Sequence, residues 1–222
     1  VHHLKDVLRI KPQEKVAVFD SLGNEYFVLV AEVGAKAVKL ELKEKKPSAD
    51  LGIKITVACA IPKNVKMDDI VDKLTQLGVE CIIPLETQRV IVRLDKQKKI
   101  ERLKRWEKIA ISAVKQSQRN RLPAIKPVAG FKDVILAAQN FDLKLIPTLE
   151  GERKTLKEVF NKPGKKIKNV IILIGPEGDF TAGEVVLAKQ AGFLPVSLGA
   201  QVLRVDTAAI AAVSFIKLNE AD

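Results

Sequence analysis

Three short loops hold most of the side chains in this chain that could do chemistry: "PTLEG" (147–151), "GPEGDF" (175–180) and "LGAQVLRVDT" (198–207). Together they offer the carboxylates Glu177 and Asp206, the guanidinium of Arg204, and glycines beside which a ligand could lie against bare backbone. Each loop follows an apolar run and precedes a helical pattern, so free N–H groups of a helix start lie close by. Neither GxxxxGK followed by Ser or Thr nor GxGxxG occurs, which argues against a nucleoside triphosphatase and a dehydrogenase. The only histidines are His2 and His3, so a Ser/His/Asp set has no base to use and no His cluster offers metal ligands. Catalysis here must rest on carboxylates, arginine and backbone amides. Group transfer from an activated small molecule suits that equipment, and no metal is expected.

The elements that must position these loops fall into two groups. Residues 15–20, 25–33 and 35–42 are strand-like, with turn residues at 21–24 and at Gly34 and no helix between them, which predicts a small antiparallel barrel or sandwich. The polar stretch 43–52, with its Pro and Gly, is the expected linker. From Ile53 onward strand and helix patterns alternate. Strands are expected at 53–61, 79–84, 143–150, 169–175 and 193–199, and helices at 66–78, 96–118, 155–160, 181–192 and 206–218. Met67, Ile70, Val71, Leu74 and Leu77 share one helical face, and Thr181 and Glu184 have capping-box spacing. Such alternation predicts a parallel α/β sheet covered on both faces, with ligands at the carboxyl ends of its strands. That is where the three loops lie.

The formal net charge of +11 is concentrated. Residues 96–121 carry ten Lys or Arg against two Glu, a net +8 within 26 residues. A focused positive field favours a polyanion such as nucleic acid, the alternative being a solvated basic helix face. The apolar stripe of this helix is read as Ile100, Leu103, Trp106, Ala110, Ala113 and Ser117. No run of about eighteen apolar residues occurs, so no membrane partner is expected. Cys59 and Cys81 lie in separate apolar runs without a CxxC pair, and a reduced, cytoplasmic setting is the expectation.

"LIGPEGDF" followed by "SLGAQVLRVDTA" resembles the SPOUT superfamily of RNA methyltransferases, and more narrowly the family that methylates N3 of a uridine in bacterial 16S ribosomal RNA. That family's usual pattern is GPEGGF, then LGxxILRxETA. "HLKDVLR" (3–9), "DKLTQLGV" (72–79) and "AVKQSQRNRLP" (113–123) are similar to its other segments, so the resemblance spans nearly the whole chain. Asp179 stands where the second glycine after GPEG is usual and Asp206 where Glu is usual, and Lys115 and Gln76 also replace a common Glu.

The resemblance implies a PUA-like RNA-binding barrel over 1–46 joined to a SPOUT domain over 53–222 with a trefoil knot, acting as a homodimer. It implies S-adenosylmethionine held by Leu149, Gly151, Ile174, Gly175, Pro176, Glu177, Gly178, Leu198, Gly199, Val202, Leu203 and Arg204. Gly175 and Gly178 would bring the chain close to the cofactor and turn it sharply, on a loop stiffened by Pro176. Arg204 would stabilise charge developing on a uracil oxygen, and Glu177 or Asp206 would take the N3 proton. Arg9, Lys115, Arg119 and Arg121 would contact RNA in 16S rRNA or the small ribosomal subunit. The alternatives are an Arg204–Asp206 surface ion pair, Asp206 as a simple helix cap, and Trp106 and Phe180 as core residues rather than base-stacking ones. For the molecule as a whole, a non-enzymatic RNA-binding or ribosome-assembly protein and a SPOUT methyltransferase for another RNA stay open.

Overall fold

The computed structural model describes residues 5, 9–20, 23–47, 52–63, 66–149, 151–161 and 167–220. Most of the 3–9 segment, turn residues 21–22, positions 48–51 of the linker and Glu150 lie outside the described residues. The chain forms two compact units, residues 1–50 with 118–122, and residues 51–117 with 123–222.

The first unit is an antiparallel sheet of β1 (Lys15–Phe19), β2 (Glu25–Val33) and β3 (Val38–Lys46) in the order β1-β2-β3. Val28 and Val30 of the central strand are buried. The third strand runs further than its polar composition suggests, so Lys43–Lys46 belong to it and not to a linker. Pairing explains the difference: Lys45 and Lys46 oppose Tyr26 and Glu25 on β2. The Lys45 ammonium also lies 5.4 Å from the Tyr26 ring centre, and that of Lys46 4.5 Å from Phe27.

The second unit is the expected parallel α/β sheet. In chain order it contains β4 (Lys54–Ala60), α1 (Lys66–Gln76), β5 (Cys81–Glu86), α2 (Lys96–Gln116), β6 (Ala124–Ile125), β7 (Ala129–Gly130), α3 (Phe131–Ala137), β8 (Leu143–Pro147), β9 (Lys154–Thr155), α4 (Leu156–Phe160), β10 (Asn169–Ile174), α5 (Ala182–Gln190), β11 (Leu194–Ser197) and α6 (Val205–Glu220). The strand order is β6-β5-β4-β10-β8-β11-β9, with β7 also on β5, and every pairing is parallel. The central strands β4 and β10 are buried almost end to end. Each fully buried Ile, Leu or Val there contributes roughly 1.5–3 kcal/mol. Ile171 and Leu173 pack with Phe131, Val134, Phe180 and Ala188 beneath α3 and α5. On the other side α6 contacts β4, β10 and α1, and α1 contacts α2. Helices therefore cover both faces, as continuous apolar strands require.

The helices form where local signals place them. Asp95 caps α2 by accepting from the Lys98 N–H at 2.8 Å, and full capping boxes open α4 at Thr155/Glu158 and α5 at Thr181/Glu184. Helix α3 carries no side-chain cap, only Gly130 at its start, and its pattern is absent from the sequence reading. Along α2, Trp106, Ala110, Ala113 and Val114 are buried, but Ile100 is 51% exposed and does not belong to the packed stripe. The packed part of α2 lies C-terminal to it, where Trp106 donates from Nε1 to Asp68 Oδ1 of α1 at 3.1 Å.

Candidate active site

Strands β10, β8 and β11 are neighbours, and the loops leaving their carboxyl ends are the three singled out from the sequence. Parallel pairing puts those ends on one edge of the sheet, and the loops line a single cleft of about 590 Å³, counting the part open to solvent. Of the residues predicted to hold a ligand, Leu149, Ile174, Gly175, Pro176, Glu177, Leu198, Gly199, Val202 and Leu203 line it. Gly151, Gly178 and Arg204 do not. Thr148, Arg153, Asp179, Gln201, Val205 and Ala208 line it as well and were not predicted to.

The turn 175–180 is built differently from the expectation. Neither Gly175 nor Gly178 has positive φ; the left-handed residue is Asp179, at φ 57. Its N–H donates to Pro176 O at 2.9 Å and closes the turn. Gly175 lies tight against the core behind it, where a Cβ would stand 3.1 Å from the Phe180 ring. Gly178 faces Arg89, whose Nη1 donates to Gly178 O at 2.6 Å and to Phe180 O at 3.4 Å. Arg89 follows β5 and stands 89 residues from Gly178, so no local pattern reveals it. Beside it the Gln88 N–H donates to buried Glu184 Oε1 at 2.9 Å, tying the same loop to the start of α5.

The other walls are also braced. Arg153 Nη1 donates to Thr148 O at 2.9 Å. The Gly199 N–H donates to Ser197 Oγ at 3.3 Å, and that hydroxyl donates to Gly199 O at 3.1 Å. Gly199 stands at φ 126 with nothing within 4 Å of where a Cβ would be, so it meets the cleft as bare backbone in a conformation other residues rarely adopt.

Glu177 is exposed at the rim, where Oε1 accepts from the Lys63 N–H at 3.3 Å. Asp206 is the second residue of α6, inside the helix and not at its cap. Its Oδ1 is buried and without a hydrogen-bond partner among the described residues. Arg204 is exposed and pairs with no carboxylate among the described residues, so the Arg204–Asp206 ion pair is not formed. Burial first, and then the charges of Asp206 and Glu177, push the Cys59 thiol far above its ordinary value. Cys59 therefore stays a protonated, inert thiol.

The basic residues separate. Lys115 is exposed in the last turn of α2, in the second unit. Arg119 and Arg121 group with the first unit, are half-buried, and are each already engaged in an interaction. Arg9, also in the first unit, is exposed at φ 51. Trp106 and Phe180 are core residues, 1% and 4% exposed. Among the described residues no cluster of His, Cys, Asp or Glu could hold a metal ion, and no helix is long and apolar enough to cross a membrane.

Residues 49–217 match the RNA methyltransferase domain family, and residues 1–43 match the RNA methyltransferase PUA domain. The ribosomal RNA small subunit methyltransferase E of Mesomycoplasma hyopneumoniae is 34% identical over 95% of this chain and 87% of its own length. That of Bacillus subtilis is 29% identical over 97% and 86%. A crystal structure of the Neisseria gonorrhoeae ribosomal RNA small subunit methyltransferase E bound to S-adenosyl methionine superposes with a TM-score of 0.81 at 28% identity, covering 97% of this chain and 87% of that one.

Proposed function

This chain belongs to the RNA methyltransferase domain family, and on that premise we propose that it methylates N3 of a uridine in 16S rRNA of the small ribosomal subunit, with S-adenosylmethionine as donor. The observation that carries the reading is the convergence of loops 147–153, 175–180 and 198–205 on one cleft. The cleft suits this cofactor by its own chemistry. Leu198, Val202 and Leu203 offer apolar contact for an adenine, and bare backbone at Gly199 offers hydrogen bonds beside them. Two carboxylates, Glu177 and Asp179, against one guanidinium, Arg153, favour a cation.

When bound, the cofactor supplies an electrophilic methyl group. The chain's residues make uridine N3 a nucleophile, which requires that its proton leave. Asp206 takes the proton at Oδ1, a buried oxygen without a hydrogen-bond partner among the described residues, with Glu177 as the second carboxylate at the rim. Arg204, without a carboxylate partner among the described residues and adjacent in sequence to the cleft wall at Leu203 and Val205, stabilises the charge left on a uracil oxygen. The first unit and the basic face of α2 hold the RNA by its phosphates, with Arg9 and Lys115 as contacts and Arg119 and Arg121 in supporting positions. The protein acts in the cytoplasm as a homodimer joined through the second unit, whose C-terminal part carries the trefoil knot that the resemblance implies.

Titration with S-adenosylhomocysteine by calorimetry tests this reading. The parent should bind, and Gly199→Arg, which fills the cleft and strains a φ of 126, should lose roughly a hundredfold, about 2.7 kcal/mol. Circular dichroism checks that the variant folds. A folded parent that binds no cofactor, even with small subunits present, sinks the reading and favours an RNA-binding protein without catalysis.

A further inference from the structure

Two of the cleft's walls come from different strands, yet a single side chain joins them. Asp179, on the loop after β10, accepts at Oδ2 from the backbone N–H of Leu149, on the loop after β8, at 2.9 Å and 30 residues' separation. Its Oδ1 accepts from the N–H of Phe180 at 2.8 Å. Both Asp179 and Leu149 line the cleft. The residue stands at φ 57, a conformation Asp tolerates better than most side chains but one that glycine adopts freely. Glycine, the usual residue in the pattern this loop resembles, would follow the same path and leave the Leu149 N–H without this acceptor.

We propose that Asp179 is a positioning residue of the cofactor pocket, a carboxylate clasp that holds the 148–149 wall against the 175–180 turn before the cofactor arrives. Hydrogen bonds from backbone N–H to a carboxylate are stronger than neutral ones. A wall already held in place loses less conformational freedom when a ligand orders it. Arg153 braces the same wall through Thr148 O, so losing the clasp loosens the pocket without dismantling it. The affinity gain rests on reading the cleft as the cofactor pocket, whereas the clasp itself is a property of the ligand-free protein.

Asp179→Gly isolates the clasp, because glycine needs no strain at this φ. Calorimetry with S-adenosylmethionine and with S-adenosylhomocysteine should show both ligands weakened alike, by about tenfold. The apparent KM for RNA and the melting temperature should stay unchanged. Asp179→Asn, with one acceptor oxygen left, should fall between parent and Asp179→Gly. In the ligand-free variant, hydrogen exchange at the Leu149 amide should speed up. Unchanged exchange at Leu149 overturns the clasp whatever the cofactor does. A loss confined to the cationic S-adenosylmethionine also overturns it, since the carboxylate would then act by charge and not by holding the wall. A parent that binds neither ligand removes the cofactor reading of the cleft, and exchange at Leu149 then decides the clasp alone.

Discussion

Glu177, on the 175–180 turn, and Asp206, in the first turn of α6, stand 29 positions apart, yet the charge of each raises the same buried thiol, Cys59. Arg204 is exposed and, like Asp206, outside the cleft lining. Its placement separates binding from chemistry. Arg204→Ala should leave the cofactor Kd unchanged while single-turnover methylation slows by roughly 10²–10³, the usual effect of removing one donor from a developing oxyanion. Full turnover in that variant would rule out the charge-stabilising role. Among 27 Asp and Glu, residue type alone does not single out these three groups; their place in the loops at the strand ends, and the resemblance those loops carry, pointed to them. They did not point to Arg89 or to the Asp179 clasp. Those contacts reach 89 and 30 residues along the chain, and no local spacing encodes them.

The long basic helix shows how an element divides its work. Trp106, Ala110 and Ala113 are buried, and Asp68 on α1 holds both Trp106 and Arg105. Arg105 thus serves the fold, while Lys104, Lys108 and Lys115 remain exposed. Replacing those three lysines by alanine should weaken binding to small-subunit RNA uniformly across sequences. It should also lower the slope of log affinity against log salt by about 2, as three single-strand phosphate contacts require. An unchanged slope would remove α2 from the RNA surface. The helix itself was legible because its Trp106–Ala113 stripe is local, but Ile100 was placed in the stripe wrongly. Periodicity tells which residues share a face; it does not tell how far along that face the partner helix extends.

At the scale of the whole molecule, the proposed homodimer is joined through the second unit. Light scattering at micromolar concentration should give twice the mass of the 24.5 kDa chain, with each protomer burying roughly 800 Å² or more. A monomer there would count against the dimer. What the sequence by itself determined was the alternation of strand and helix from Ile53, the capping box of α5, and the identity of the three loops that line the cleft. These rest on interactions within a few residues, which composition and spacing record directly. Only the tertiary structure decided that β10 lies between β4 and β8, that residues 118–122 group with the first unit, and that Asp179 ties one loop to another. Buried apolar strands are chemically alike, so their order in a sheet is chosen by the packing of the helices that connect them. The contacts between loops follow from that order and from nothing nearer in the chain.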